Sequence, residues 1–394
     1  MMLRAMVRNG ILVVAALCIG LLAVELVARL YVRRARLGDK LDYLDSRSNT
    51  VEQRNIGRGD ALLGWGLRPL SRAHLVTSDF DVKYEINSRG FRDREITLQK
   101  ASHVFRVLLI GESMVMGHGV DYGERFSEVI ESALRNVTVV NMGVWGYGMD
   151  QSLMQMERDG FQFDPDLVVL VLGCSDYANR CKYLSMHGRA KPVFILNKTR
   201  DDIVLRDIAS LQQEFGPPKK AGPPAPASTD APQQPLKTQS SLGFLVSYWN
   251  QKQRFKEEIK QRDQNEWERL TALRVHDPQY PYTAQEDFEQ VLHLLLARYK
   301  RSCQAHGCRL MVVNAADSRD NSVEEHCKRL GIAYYDLSDV LIKASGKSRL
   351  RFAVDPHYNP FANRVIGEYL SDYLHTVYGL EQNSSYRNKW LGQF

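Results

Sequence analysis

One serine and one Asp-x-His pair could together cleave an ester or transfer an acyl group. Ser113 follows a short apolar run, and Asp355 and His357 lie two residues apart much later in the chain. A serine hydroxyl attacks a carbonyl only if a base accepts its proton, and a histidine base needs a carboxylate that fixes its tautomer. Each residue alone also has an ordinary explanation, because serine often caps a helix and aspartate often stabilises a turn.

The residues before Ser113 predict one strand of a parallel β-sheet. Apolar runs rich in Val, Leu and Ile occupy residues 104–110, 137–140, 166–172 and 309–315. Continuous runs of this kind are typical of parallel strands that helices cover on both faces. In open sheets of this type, ligands bind outside the carboxyl ends of the strands, and Ser113 lies at such an end.

Helical patterns alternate with these runs. We predict a helix at residues 126–134, a second after the capping box of Thr283 and Glu286, and a third after an Asn359 cap. The alternation predicts an α/β fold, a three-layer doubly wound parallel sheet. A proline-rich insertion at about residues 216–241 is predicted to be a disordered loop, because its composition cannot form a core.

Four segments of the chain resemble, in order, the sequence blocks of the SGNH hydrolases, the GDSL-type esterase superfamily. They are Gly-Glu-Ser at 111–113, Asn-Met-Gly-Val-Trp-Gly at 141–146, the strand and Gly-Cys-Ser-Asp of 164–176, and Asp-Pro-His-Tyr-Asn at 355–359. The last block is similar to the D-x-H-x-N variant of membrane-anchored, exopolysaccharide-associated members. The resemblance covers about residues 85–210 and 280–380 and implies a flavodoxin-like sheet.

The resemblance implies a role for each matching residue and no cofactor or metal. The roles are nucleophile for Ser113, base for His357, orienting carboxylate for Asp355, and oxyanion donors from the N–H groups of Ser113 and Gly146 and the side chain of Ser175. Two positions depart from the family, which has Asp at Glu112 and Asn at Ser175. Losing one oxyanion donor can cost roughly 3–4 kcal/mol of transition-state stabilisation. We therefore expect a working but slow enzyme.

The formal charge of +6 belongs mostly to the first 40 residues, which hold a net +5 and leave +1 for the other 354. This distribution does not support a nucleic-acid partner. Residues 11–32 are apolar except for Glu25 and Arg29, and a helix of this length spans roughly 33 Å, enough to cross a bilayer. We expect an uncleaved membrane anchor, with a signal peptide or a buried core helix as the alternatives.

The anchor and the blocks together predict the organisation of the chain. The predicted regions are an anchor at 1–40, a membrane-proximal lead-in at 41–100, an SGNH hydrolase domain at 101–380 with the insertion at about 216–241, and a tail at 381–394. Basic residues after the span favour a cytoplasmic body. The resemblance instead favours an extracytoplasmic, periplasmic body, which we expect.

The leading hypothesis is hydrolysis of O-acyl groups, chiefly O-acetyl groups, on a glycan or exopolysaccharide through an acyl-serine intermediate. An O-acyltransferase would share the first half of the reaction, and envelope or polysaccharide-assembly proteins could be partners. A non-catalytic glycan-binding or scaffold protein is a separate class, against which the complete set of Ser113, Asp355 and His357 argues. A third class is an anchored protein that contacts a partner through charged residues 244–270.

Overall fold

The structure is a computed structural model that describes residues 2–34, 55–174, 178–182, 185–186, 189–197, 200–215, 285–319, 321–384 and 386, with single positions between 241 and 257. The chain divides into two units, one formed by residues 1–48 and 222–262 and the other by residues 49–221 and 263–394. The predicted proline-rich loop, Thr283 of the predicted capping box and most of residues 244–270 lie outside the described residues.

The first unit contains helix α1, Met2–Arg34. Its segment Leu12–Arg34 has 23 residues and a mean hydropathy of 2.3, and it is the one helix of the described chain that is long and apolar enough to cross a membrane. The leucine side chains of this segment and most of its valine side chains are exposed, unlike those of a core helix. Glu25 and Arg29 form the ion pair that their spacing predicts, with 3.7 Å between Oε1 and Nη2.

The second unit combines short hairpins with a central sheet. Its strands are β1 Gly57–Asp60, β2 Gly64–Leu67, β3 Arg72–Val76, β4 Asp81–Glu85, β5 Phe105–Ile110, β6 Val137–Asn141, β7 Leu167–Leu172, β8 Ser185–Met186, β9 Arg189–Ala190, β10 Val193–Asn197, β11 Asp202–Arg206, β12 Arg309–Asn314 and β13 Ala333–Asp336. Its helices are α2 Ser113–Met116, α3 Phe126–Ala133, α4 Met149–Gln155, α5 Ile208–Phe215, α6 Gln285–Ala305, α7 Asn321–Leu330, α8 Ser338–Ser345 and α9 Pro360–Tyr378.

The central sheet is parallel, with strands in the order β13-β12-β7-β5-β6. Counted along the chain, this is the order 2-1-3-4-5 of the flavodoxin-like fold, so the predicted α/β class is confirmed. Strand β6 lies on one side of β5, and β7, β12 and β13 follow on the other side. The strand order therefore reverses between β5 and β7. The crevice at the carboxyl ends of β5 and β7 is therefore the place where this topology puts a ligand site.

Helices cover both faces of the sheet. Successive side chains of each strand point to opposite faces, so each strand contributes to the core on both sides. Leu108 and Ile110 of β5 pack in the core formed with α4, α6 and α7. Val107 and Leu109 pack in the core formed with α3, α8 and α9. All four are completely buried, and each such side chain stabilises the fold by about 1.5–3 kcal/mol.

The apolar runs predict four of the five central strands to within a residue at each end. Residues 104–110, 137–140, 166–172 and 309–315 form β5, β6, β7 and β12. The predicted start of α9 is also confirmed, since Asn359 Oδ1 accepts the Ala362 N–H at 3.1 Å and Pro360 occupies the first turn. Strand β13 has the sequence Ala-Tyr-Tyr-Asp, which lacks an apolar run, and the sequence did not predict it.

Residues 55–100 pack against the segments that carry the central sheet. Trp65 Nε1 donates to the carbonyl of Trp145 at 2.9 Å, and Tyr84 Oη accepts the N–H of Gly119 at 2.9 Å. The Trp65 and Tyr84 rings lie in the same core as strand β5. The hairpins of this region therefore support the loops at the carboxyl end of the sheet. The domain bounds given above stay a prediction.

Candidate active site

Ser113 is the first residue of α2, in the short connection that follows β5. Glu112 caps this helix, because its Oε1 accepts the N–H of Met114 at 3.2 Å. The end of β5 and the cap thus fix the backbone on both sides of the serine. Ser113 is 7% exposed, so only a small part of this residue reaches the surface.

Asp355 and His357 lie in the loop immediately before α9. Asp355 Oδ1 accepts the N–H of His357 at 2.8 Å, which closes a tight turn and brings the carboxylate beside the imidazole. Tyr358 anchors the loop from the other side, since its hydroxyl donates to the carbonyl of Ala315 at 2.9 Å. The two-residue spacing therefore suffices to place the carboxylate beside the base.

The fold brings the three predicted catalytic residues into one hydrogen-bonded chain. His357 Nε2 lies 2.8 Å from Ser113 Oγ, and His357 Nδ1 lies 2.6 Å from Asp355 Oδ1. A neutral His357 that donates from Nδ1 can accept the serine proton at Nε2, as nucleophilic catalysis requires. The His357 side chain is 20% exposed, so a substrate carbonyl can approach this edge.

The charges in this group favour an ionised Asp355 and a neutral His357. Burial would raise the pKa of Asp355, but hydrogen bonds from His118 and His357 hold that pKa well below its usual range. Burial and the nearby His118 lower the pKa of His357, whereas the Asp355 and Glu112 carboxylates act in the opposite direction. His357 is therefore neutral, and able to act as a base, at pH 7.

His118 is a site residue that the sequence analysis missed. Its Nε2 lies 3.4 Å from Asp355 Oδ2, and its ring centroid lies 4.2 Å from that of His357. The carboxylate thus has a histidine on each oxygen. A single histidine shortly after the serine gives no sequence signal, because its role depends on a loop much later in the chain.

The loop after β6 is predicted to supply part of an oxyanion hole, and it lies against α2. A Cβ on Gly143 would come within 2.2 Å of the Met116 nitrogen, and Val144 donates to the carbonyl of Gly111 at 3.2 Å. Gly146 is buried with a φ of +71°. Within the described residues, no protein acceptor binds the N–H of Ser113 or Gly146. Ser175 lies outside the described residues, so its role stays a prediction.

Glu112, at the position where the resembled sequence block has Asp, contacts the predicted nucleophile. Its Oε2 is hydrogen-bonded to Ser113 Oγ, on the same oxygen that faces His357. Arg180 Nη1 lies 3.7 Å from Glu112 Oε2 and also donates to the carbonyl of Tyr147 at 3.3 Å. Glutamate is one methylene longer than aspartate, which is the signal that could have indicated this contact.

One group of side chains at the site has donor atoms close enough to hold a metal ion. The ligand atoms of His118, Asp355 and His357 lie within 4.8 Å of one another. Hydrogen bonds already account for this arrangement, because each histidine contacts one oxygen of Asp355. A metal on His357 Nδ1 would also break the bond that orients the base. We assign no metal to this group.

Comparison with solved structures finds proteins of the GDSL lipolytic class. A lipolytic protein of the G-D-S-L family from Veillonella parvula is 11% identical over 70% of this chain and 100% of its own, with a TM-score of 0.34. A lipase/acylhydrolase from Enterococcus faecalis is 11% identical over 72% and 100%, with a TM-score of 0.34. An acetylxylan esterase from Geobacillus stearothermophilus is 10% identical over 73% and 100%, again with a TM-score of 0.34.

No protein-family model matches the chain, and no curated protein matches it. At such low identities and TM-scores, we base no conclusion about activity on the solved structures.

Proposed function

We propose that this protein is a serine ester hydrolase of the SGNH type. The observation that carries the proposal is the continuous chain from Ser113 Oγ through His357 to Asp355, with links of 2.8 and 2.6 Å. It lies beside the carboxyl ends of β5 and β7, where the strand order of the sheet provides a crevice.

In the proposed reaction, Ser113 Oγ attacks the ester carbonyl while His357 Nε2 takes its proton. The carbonyl oxygen becomes an oxyanion, which the N–H groups of Ser113 and Gly146 would stabilise. His357 then gives the proton to the departing alkoxide, and an acyl-serine and an alcohol result. Water next attacks the acyl-serine while His357 takes one of its protons. The bond to Ser113 Oγ then breaks, His357 returns the proton to that oxygen, and the carboxylic acid leaves.

We further propose that the substrate is an O-acylated, chiefly O-acetylated, glycan or exopolysaccharide near a membrane. Two features support this part: the D-x-H-x-N block at 355–359 and the apolar segment Leu12–Arg34, which would anchor the chain. The body would then lie on the extracytoplasmic side, where such polysaccharides are assembled. Outside the first 40 residues the chain carries a net charge of only +1, which suits an uncharged or mildly acidic sugar.

The test compares release of acetate by wild type and Ser113→Ala, with p-nitrophenyl acetate and an O-acetylated glycan as substrates. We expect the substitution to lower kcat by roughly 10⁴-fold or more, because removal of the nucleophile disables the triad as a unit. The matched control is Ser132→Ala, an exposed serine whose hydroxyl donates to the carbonyl of Val129. Equal rates for wild type and Ser113→Ala would refute the proposal and favour a binding or scaffold protein.

The same reaction mixtures distinguish a hydrolase from an O-acyltransferase. With a labelled acetyl donor and a sugar acceptor present, a hydrolase releases free labelled acetate. Label that accumulates on the sugar would instead identify a transferase that uses the same acyl-serine.

The proposed location needs a separate test. A C-terminal alkaline phosphatase fusion should be active, because that enzyme folds only in an oxidising, extracytoplasmic compartment. An inactive phosphatase fusion together with an active cytoplasmic reporter fusion would place the body in the cytoplasm, as the basic residues after the span favour.

A further inference from the structure

Ser113 Oγ has two hydrogen-bond partners that compete for one hydrogen. Glu112 Oε2 contacts it on one side, and His357 Nε2 contacts it at 2.8 Å on the other. A serine hydroxyl can donate only once, whereas catalysis requires that it donate to His357. The carboxylate of Glu112 is buried, so it cannot exchange this partner for bulk water.

The hydrogen-bonded series from Asp355 to Glu112 needs a definite number of protons. Asp355, His357, Ser113 and Glu112 are joined by three hydrogen bonds, and each bond requires one hydrogen. If Glu112 is ionised, the serine hydrogen points at Glu112, and His357 must carry hydrogens on both nitrogens to keep the other two bonds. If His357 is neutral and accepts from Ser113, Glu112 must itself be protonated to keep its bond to the serine. Either complete form holds one proton more than a triad with a neutral His357 beside an ionised Glu112.

We propose that Glu112 is a positioning residue that holds the Ser113 hydroxyl in a protonated, acid form of the site, from which the loss of one proton releases it to His357. The proposal deepens the function proposed above and rests on it. In that acid form, which is populated below the lowered pKa of His357, the hydroxyl hydrogen is directed to Glu112 and His357 is an imidazolium. When the imidazolium proton leaves, the serine hydrogen can turn to the neutral Nε2 and the nucleophile is ready.

Several charged or titratable groups face the hydrogen-bonded series from Asp355 to Glu112. Arg180 lies 3.7 Å from Glu112 Oε2, and the Met114 N–H binds Glu112 Oε1. Both contacts hold the Glu112 carboxylate in its place beside Ser113. On the side of His357, burial and His118 lower its pKa, whereas Asp355 and Glu112 act in the opposite direction, and the net shift is downward. The form with a protonated His357 is therefore the acid form. Tyr358 is the further titratable group that Glu112 influences, and burial keeps this phenol protonated.

Two substitutions at Glu112 separate its hydrogen bond from its charge. In Glu112→Gln, the amide oxygen can still cap Met114 while the amide N–H donates to Ser113 Oγ, so the serine is free to donate to a neutral His357. In Glu112→Asp, the charge stays but the carboxylate is one methylene shorter and withdraws from Ser113. The control is Glu124→Gln, at an exposed position in the turn Tyr122–Glu124.

The first readout is the pKa of His357, measured by NMR titration of the full chain, which does not depend on any activity. We expect Glu112→Gln to lower this pKa by about one unit, the size of shift that an adjacent charge produces, and Glu112→Asp to lower it by less. In a Ser113→Ala background, which breaks the chain, the shift from Glu112→Gln should fall to less than half. An equal shift in both backgrounds would show that Glu112 acts by charge alone and would overturn the proposal.

The second readout is the pH profile of kcat/KM. In Glu112→Gln, the acid limb should move to lower pH by the same amount as the pKa of His357. One pH unit below the wild-type pKa, kcat/KM relative to its plateau should then rise about fivefold. Unchanged profiles in both variants would refute the inference. If wild type has no activity that depends on Ser113, the proposed function fails while the NMR titration still decides whether Glu112 controls His357.

Discussion

The carboxylate of Asp79 accepts the backbone N–H of Asp355, with 2.8 Å between Oδ2 and N, and it accepts the preceding N–H of the same loop at 2.8 Å. Asp79 lies in the turn between β3 and β4, far from Asp355 in sequence. The next residue, Phe80, packs edge-on against the ring of His118. A hairpin from the N-terminal part of the body therefore holds the loop that carries His357 and lines the site.

Replacement of Asp79 should weaken both the fold and the proposed reaction. In Asp79→Ala, two backbone N–H groups lose their acceptor, and we expect a loss of about 1–3 kcal/mol in the free energy of unfolding. The loop before α9 also becomes less well fixed, so kcat should fall while KM changes little. Urea unfolding and steady-state kinetics measure the two effects.

Two further variants make the Asp79 result specific. Asp79→Asn keeps a side-chain oxygen that can accept both N–H groups and should recover most of the rate. Asp81→Ala removes an exposed carboxylate that pairs with His74 on the same hairpin, and it should change stability by less than about 0.5 kcal/mol. The role given to Asp79 is wrong if Asp79→Ala and Asp81→Ala behave alike.

The pH dependence of the proposed reaction should report His357 and its neighbour His118. His357 acts as a base only when neutral, and its pKa lies below the usual 6.5, so kcat/KM should be on its plateau at pH 7 and fall as the pH drops through that lowered pKa. His118→Phe removes a group that lowers this pKa, and the acid limb should move to higher pH. The plateau should also fall by roughly tenfold, because Asp355 loses one of its two histidine donors.

The control for His118 is His103→Phe, at an exposed position before β5. We expect its profile to match wild type. An acid limb that does not move in His118→Phe would mean that His118 does not influence the base.

The left-handed backbone of Gly146 offers a test of the predicted oxyanion hole. Gly146 has a φ of +71°, and Gly379, at the end of α9, has a φ of +66°. An alanine at either position should cost about 1–2 kcal/mol of stability, because a Cβ is disfavoured in this conformation. Only Gly146→Ala should also lower kcat, since Gly379 is far from the site in the chain and a Cβ there meets nothing within 4 Å. Equal kcat values in the two variants would remove Gly146 from the mechanism.

A buried ion pair between Lys191 and Asp150 should be important for stability and not for chemistry. The Lys191 side chain is 1% exposed and that of Asp150 is 0% exposed, and Lys191 Nζ bonds to Asp150 Oδ2. Lys191→Met leaves a buried carboxylate unpaired and should cost about 3–5 kcal/mol in the free energy of unfolding. The double variant with Asp150→Leu removes both charges and should recover much of that loss. A single variant as stable as wild type would contradict this account.

Local sequence patterns were sufficient to predict the central sheet and the start of α9. The runs that became β5, β6, β7 and β12 are apolar throughout, because helices cover both faces of each strand. Strand β13 escaped prediction because its residues are only partly buried, so no apolar run is needed there. Among residues 57–85 the sequence indicates only a short possible strand at residues 80–86, which the structure forms as β4. The other hairpin strands were harder to predict, since β3, for example, is exposed on alternate residues and has no apolar run.

By itself, the sequence indicated the residues of the candidate site, which are a serine at a strand end and an Asp-x-His pair before a helix. It also indicated an apolar segment long enough to cross a bilayer. Only the tertiary structure decided which other groups act on these residues. Asp79 and His118 carry no pattern that marks them, because each reaches the site through contacts between segments distant in sequence. The Gly-Glu-Ser block marked Glu112 only as a departure from aspartate, and its contact depends on the direction of one side chain. Such contacts depend on packing of the whole body, whereas strand and cap signals depend on neighbouring residues alone.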